Sequence, residues 1–89
     1  MTRNYEKNYI ASATTTQVNT GQCILHYIVV NSTAAGTIKI IDGVSGTTAN
    51  VGTLKSNVAE GTYRYDCVMT TGIRIVTAST SDITVVWSI

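Results

Sequence analysis

Phenylalanine and proline are absent from this 89-residue chain, and charge is scarce. Only 12% of residues are charged, roughly half the usual share, and the formal net charge is +1. There is no basic excess to neutralise a phosphate backbone and no acidic tract, so electrostatic nucleic-acid binding is excluded. Without proline no strand ladder loses an N–H, and chain punctuation falls to Gly, Asn and Asp. No apolar run reaches the ~18–20 residues of a membrane helix. One histidine and two distant cysteines, Cys23 and Cys67, do not make a structural zinc site, and the cysteines read as buried thiols. The opening MTRNYEKNYIASA lacks the apolar stretch of a secretory signal, so synthesis in a cytoplasm, with use there or release from it by lysis, is expected.

What is present is apolar and hydroxylic. Hydrophobic residues make up 44% of the chain, and the aromatic set is five tyrosines and Trp87, each with an apolar body and a polar tip. Such side chains suit half-wet rims and interface centres. A chain this short buries only roughly 60–65% of its unfolded surface. With so little charge to keep it dispersed, it suits an assembly in which part of its surface is covered.

Residues 21–43, GQCILHYIVVNSTAAGTIKIIDG, organise the rest. They read as two apolar strands around a polar turn in which Gly36 is free to take a positive φ. Strict alternation puts Ile24, His26, Ile28 and Val30 on one face of the first strand and Leu25, Tyr27 and Val29 on the other. Both faces are apolar, so the strand is central, and the Leu25 face needs a cover that the chain itself has little left to supply. Oligomerisation through that face is expected.

From residue 13 onward the pattern is β throughout. A Thr-rich edge strand precedes the organising pair. Shorter strands follow, separated by Asp42-Gly43, Ser45-Gly46, Glu60-Gly61, Thr71-Gly72 and Ser81-Asp82. The chain ends with Ile83, Val85, Trp87 and Ile89 in strict alternation. The expected fold is all-β: a single small antiparallel β-sandwich over residues 13–89, jelly-roll-like, with about seven strands. Residues 1–12 form an extended N-terminal arm, either frayed or ordered on a partner through Tyr5, Tyr9 and Ile10. The expected core is Ile24, Ile28, Val30, Ile38, Ile40, Leu54, Cys67, Ile75, Ile83, Val85 and Trp87.

Candidate chemistry is thin. His26, Asp42 and Ser45 follow the chain order of a chymotrypsin-like triad, but 89 residues do not build the two-barrel cleft such a triad needs. Asp42, Asp66 and Asp82 would have to converge to hold Ca²⁺, and each is more simply a turn or surface residue. Neither a catalytic nor a cofactor or metal site is expected. Tyr63 and Tyr65 share a face, as a core rim or as a contact with a neighbouring subunit or a sugar.

A set of spaced motifs carries a resemblance. It runs from Gly21 through Ile24-Leu25-His26 and Ile28-Val29-Val30-Asn31 to Ala34-Ala35-Gly36-Thr37-Ile38 and Asp42-Gly43. It continues with Gly61-Thr62-Tyr63, Tyr65-Asp66, Thr71-Gly72-Ile73 and Asp82-Ile83-Thr84-Val85. This succession resembles the small β-sandwich virion proteins of tailed bacteriophages, among them capsid decoration (cement) and head-fibre proteins. Ile41 stands where a Tyr is usual and Tyr27 where a small residue is usual, which implies an altered interface. The resemblance implies a virion location on the outer capsid surface after assembly in a host cytoplasm. Its partners would be a second and third copy of the chain, as a homotrimer, and the major capsid protein, with no nucleic acid and no membrane. In that frame Tyr5, Tyr9 and Ile10 bind the capsid, and Leu25, Tyr27, Val29, Tyr63 and Tyr65 form the oligomer interface. The other expectation, from a different class, is a tail- or fibre-associated glycan-binding module using Tyr63, Tyr65 or Trp87 as stacking platforms.

Overall fold

The structure, a computed structural model, describes residues 5–46 and 49–89. Every regular element among them is a strand: β1 (Glu6–Ile10), β2 (Thr15–Thr20), β3 (Cys23–Ser32), β4 (Ile38–Asp42), β5 (Asn50–Leu54), β6 (Gly61–Met69), β7 (Gly72–Thr77) and β8 (Asp82–Ser88). They form two four-stranded antiparallel sheets, ordered β1-β8-β3-β6 and β2-β7-β4-β5. The pairing is nested: β4 lies on β5, β3 on β6, β2 on β7 and β1 on β8. The chain doubles back between β4 and β5 into one long ribbon, and the ribbon rolls up so that β8 meets β3 and β7 meets β4. This is the order of a jelly roll.

There is one strand more than the seven expected, and it comes from the supposed arm. Residues 6–10 are the edge strand β1, in register with β8 from Glu6 opposite Trp87 to Ile10 opposite Ile83. Ile10 is inside the core, and the Trp87 indole N–H donates to Asn8 Oδ1 at 3.1 Å. The alternation was masked because an asparagine fills the second inward position. The boundary drawn at residue 12 therefore falls within the sandwich, and Ile10 is not free to anchor a partner.

The core lies between the sheets. Of the eleven residues expected there, Ile28, Val30, Ile38, Ile40, Leu54, Ile75, Ile83, Val85 and Trp87 are buried in it. Cys67 is half-buried against its edge, and Ile24 lies half-buried outside it. Leu25, assigned to an outer interface, is 0% exposed and fully inside.

The reason is a change of parity on β3. Between the same two inward positions, β8 runs two steps from Val85 to Trp87, β3 three from Ile28 back to Leu25, and β6 four from Tyr63 to Cys67. Each strand carries one residue more than its neighbour, so β3 bulges at His26 and β6 at Asp66, whose φ is +47°. Aspartate tolerates this left-handed backbone better than most residues, and bulges bend and twist a strand. Beyond the bulge every β3 side chain changes face, so Cys23 and Leu25 point in and Ile24 points out.

The two ends of the roll are tied differently. At one end, Gly36 is needed for close approach and not for a positive φ. A Cβ there would sit 2.7 Å from Ser79 Cβ and 2.9 Å from Ser79 N. At the other, the Asp42 carboxylate accepts from Thr70 N (2.9 Å), Thr70 Oγ1 (2.8 Å), Thr71 N (2.7 Å) and Gly72 N (3.2 Å), closing the β6–β7 turn. Desolvation by burial pulls the Asp42 pKa up, but the hydrogen bonds from Thr71, Thr70 and Gly72 together outweigh it and hold the carboxyl below its usual range. On the outside of the second sheet, Ile41 is fully buried yet outside the main core. The β4–β5 loop lies nearby, with Arg74 donating to the carbonyls of Gly46 (3.2 Å) and Val44 (3.5 Å).

Two outcomes follow from these ties. Gly36→Ala forces a methyl into the Ser79 backbone and should cost on the order of 1–3 kcal/mol, read as a lowered urea midpoint with unchanged slope. Asp42 titrates lower folded than unfolded, so its contribution is present above the unfolded carboxylate pKa of about 3.9 and fades as pH falls through the folded value. Asp42→Asn should remove that part of the acid destabilisation, so its urea midpoint should change less with pH below about pH 4 than the parent's.

Candidate functional site

The outer face of the β1-β8-β3-β6 sheet is where the apolar and aromatic side chains left outside the core collect. Register gives its rows. Tyr9, Thr84, Val29 and Thr62 lie across the four strands, and Lys7, Val86, Tyr27 and Arg64 form the next row. Beyond the bulge, Ser88, Ile24 and Val68 form a third, with Tyr5 just ahead of β1 beside them. Tyr5, Tyr9 and Val68 are each more than half exposed, at 54%, 65% and 57%, while Ile24, Tyr27, Val29 and Val86 are half-buried. Next to this face, Gln22, Cys23, Ile24, Val68 and Ile89 line an open hollow of about 280 Å³.

His26 sits at the centre of the face, on the bulge, and is buried. The Tyr5 ring stacks on it, with centroids 4.1 Å apart and planes 6° from parallel. Its Nε2 and Ser88 Oγ lie 2.8 Å apart and share one hydrogen bond, the donor depending on the tautomer. Its Nδ1 lies 3.6 Å from Asp66 Oδ1, beyond hydrogen-bonding length. Asp66 lies 3.7 Å from Arg64 Nη1, and the Arg64 guanidinium lies 5.4 Å from the Tyr27 ring centroid. At the far corner Tyr9 donates to Asp82 Oδ2 (2.5 Å), and Asn31 Nδ2 donates to Asp82 Oδ1 (3.1 Å) and Thr84 Oγ1 (3.2 Å). The Tyr9 phenol is pushed above its usual range, first by its bond to the Asp82 carboxylate.

Serine, histidine and aspartate thus meet, but with other partners than the sequence suggested. Asp42 closes a turn, Ser45 lies in the β4–β5 loop, and His26 is held by Ser88 and flanked by Asp66. Ser88 has no exposed surface, so its hydroxyl is closed to any substrate. The cluster is a polar lock that fixes the bulge. Asp42, Asp66 and Asp82 do not converge, and among the described residues no three His, Cys, Asp or Glu side chains are grouped to hold a metal.

The structure separates the residues expected to act together. Tyr27 and Val29 are on the outer face with Tyr5 and Tyr9, whereas Leu25 and Ile10 are in the core. Tyr63 and Tyr65 point inward, where they pack against the core at the open edge of the sandwich. Tyr63 OH donates to the Ala59 carbonyl at 2.6 Å, and Tyr65 lies over Gly52, where an added Cβ would meet its hydroxyl oxygen at 3.0 Å. Trp87 is buried. A glycan platform built on Tyr63, Tyr65 or Trp87 loses its exposed rings to the core and its rim. Ile24, Val68 and Val86 belong to the outer face and were missed. The parity of Ile24 turns on the bulge, and Val68 and Val86 looked like ordinary members of alternating strands.

Cys23 and Cys67 are free thiols; Cys23 lies opposite Met69 and Cys67 opposite Leu25. Burial, then the charges of Asp42 and Asp66, push the Cys67 thiol up, which disfavours the reactive thiolate. Comparison with known proteins gives no match to any protein family, curated protein or solved structure.

Replacing His26 by Ala takes away the partner of Ser88 and the support of the Tyr5 ring. It should cost about 1–3 kcal/mol in urea unfolding, with His26→Asn recovering part of the loss.

Proposed function

We propose that this protein is a structural virion protein that decorates a bacteriophage capsid, binding the outer shell as a homo-oligomer, a trimer by the resemblance. One observation carries the proposal. The outer face of the β1-β8-β3-β6 sheet presents Tyr5, Tyr9, Ile24, Tyr27, Val29, Val68 and Val86 together, on a chain with little charge to keep such a surface apart from others. Four strands about 4.8 Å apart and a ten-residue strand of about 33 Å give this face on the order of 600 Å² in projection. That approaches the ~800 Å² that each partner contributes to a standard stable interface.

The face divides by chemistry. Tyr27, Val29, Ile24 and Val86 form its low apolar middle, the part suited to a second copy. Tyr9 at the β1 edge and Tyr5, laid over His26, are its most exposed rings and suit the shell protein, in keeping with the role the sequence suggested. Many copies of one modest contact, repeated over a lattice, hold a shell more firmly than any single contact. Binding only the mature lattice stabilises that state by mass action.

Sedimentation velocity of the purified chain should show an oligomer. Val29→Ser with Tyr27→Ser should shift it towards the 9.5 kDa subunit while changing urea stability by little more than the ~0.5 kcal/mol typical of surface substitutions. In the intact particle the protein should be present in hundreds of copies. A single subunit at high concentration, with no affinity for any particle, would overturn the assignment.

A further inference from the structure

We propose that β1 is exchanged between copies in the oligomer, each chain laying its residues 6–10 along β8 of a neighbour; this rests on the self-association proposed above. β1 is an edge strand that, among the described residues, pairs with β8 alone. Its side-chain anchors also lie away from its own loop. Ile10 enters the core, Asn8 takes the Trp87 N–H, Tyr9 binds Asp82, and Tyr5, just before it, stacks on His26. Every copy presents those partners identically, so a neighbour's β1 makes the same bonds and the exchange forfeits none of them.

The connection to β2 decides how exchange occurs. Residues 11–14 are exposed. Two of them are tied to Thr77: its hydroxyl proton is shared between the carbonyls of Ser12 (2.6 Å) and Thr14 (3.0 Å), and its N donates to Thr14 O (2.9 Å). The chain bends at Ser12 and Ala13, so exchange straightens these two residues and gives up the Ser12 bond to Thr77 while keeping that of Thr14. A hinge this short must turn sharply to bring β1 back to its own β8. Short hinges favour the extended, intermolecular arrangement, in which the turn is replaced by a straight run. Exchange also fixes which side of the molecule meets the next copy, because β1 and β2 are the edge strands of the two sheets. The apolar middle of the outer face then adds its contact to the same pair of copies.

Lys7 and Val86 are register partners on the outer face, so a cysteine at each stands within disulfide reach across β1 and β8. In a Cys67→Ser background, Lys7→Cys and Val86→Cys chains are made separately, unfolded in urea, refolded together and oxidised. Exchange yields a mixed disulfide at twice the 9.5 kDa chain mass on non-reducing gels. The Lys7→Cys/Val86→Cys double variant should then link into oligomers. Inserting three glycines after Ala11 should lower the mixed product several-fold. If the double variant links only within its own chain and the mixture gives no mixed product, exchange is overturned. A non-covalent oligomer that persists in that case leaves the assembly role standing, and a single subunit removes both. Should the Lys7→Cys chain fail to fold, Tyr9→Cys with Thr84→Cys, the adjacent register pair, gives the same two outcomes.

Discussion

One inserted residue on β3 governs what this molecule hides and what it shows. Because β3 carries one more residue than β8 between neighbouring inward positions, its alternation breaks at His26, and Leu25 exchanges places with Ile24. The exchange is tolerable because the extra residue is held on every side. The Tyr5 ring covers it, Ser88 shares its hydrogen bond, and Asp66 on the next strand adopts the left-handed backbone that completes the fan. Core, outer face and edge strand all depend on that lock. Leu25 fills the interior on one side of it, Tyr27 and Val29 line the surface on the other, and Tyr5 closes over the top.

The sequence revealed much of the fold because most strands obey simple alternation. Ile83, Val85 and Trp87 read correctly, as did Ile38 with Ile40, since no bulge interrupts those runs. The turn at Gly72 read well too, because its backbone needs glycine, whereas Asp42 owes its type to the distant β6–β7 turn that its carboxylate closes. Two features were opaque for physical reasons. β1 has only one inward apolar residue, Ile10, and its other inward position is an asparagine serving an indole, so period 2 was invisible there. On β3 an apolar residue stands on either side of the bulge, so hydropathy alone gives the same pattern with or without it.

The candidate site was legible in part. Tyr5 and Tyr9 were picked out from a stretch with no period, and Tyr27 and Val29 from an excess of apolar residues on the organising strand. That these two pairs lie on one surface was not readable, because it depends on β1 joining β8. Tyr63 and Tyr65 look alike in sequence whether they face a partner or their own core. Their neighbours decide the matter: Gly52 on the opposite sheet for Tyr65, and the Ala59 carbonyl just ahead of β6 for Tyr63.

The nested pairing also sets the order in which the molecule comes together. Ile41 meets Asn50 across one loop, whereas Glu6 meets Trp87 across nearly the whole chain. Closure therefore proceeds outward from the β4–β5 hairpin, each new pair needing only a short further loop once the previous one has formed. Contacts of such long range make folding slow for so small a chain, and the outermost pair is the last to zip. During that interval β8 is an open ladder, seven residues long with Trp87 in it. A nascent population would therefore be most adhesive just before it is finished, when concentration and time decide which strand fills the gap.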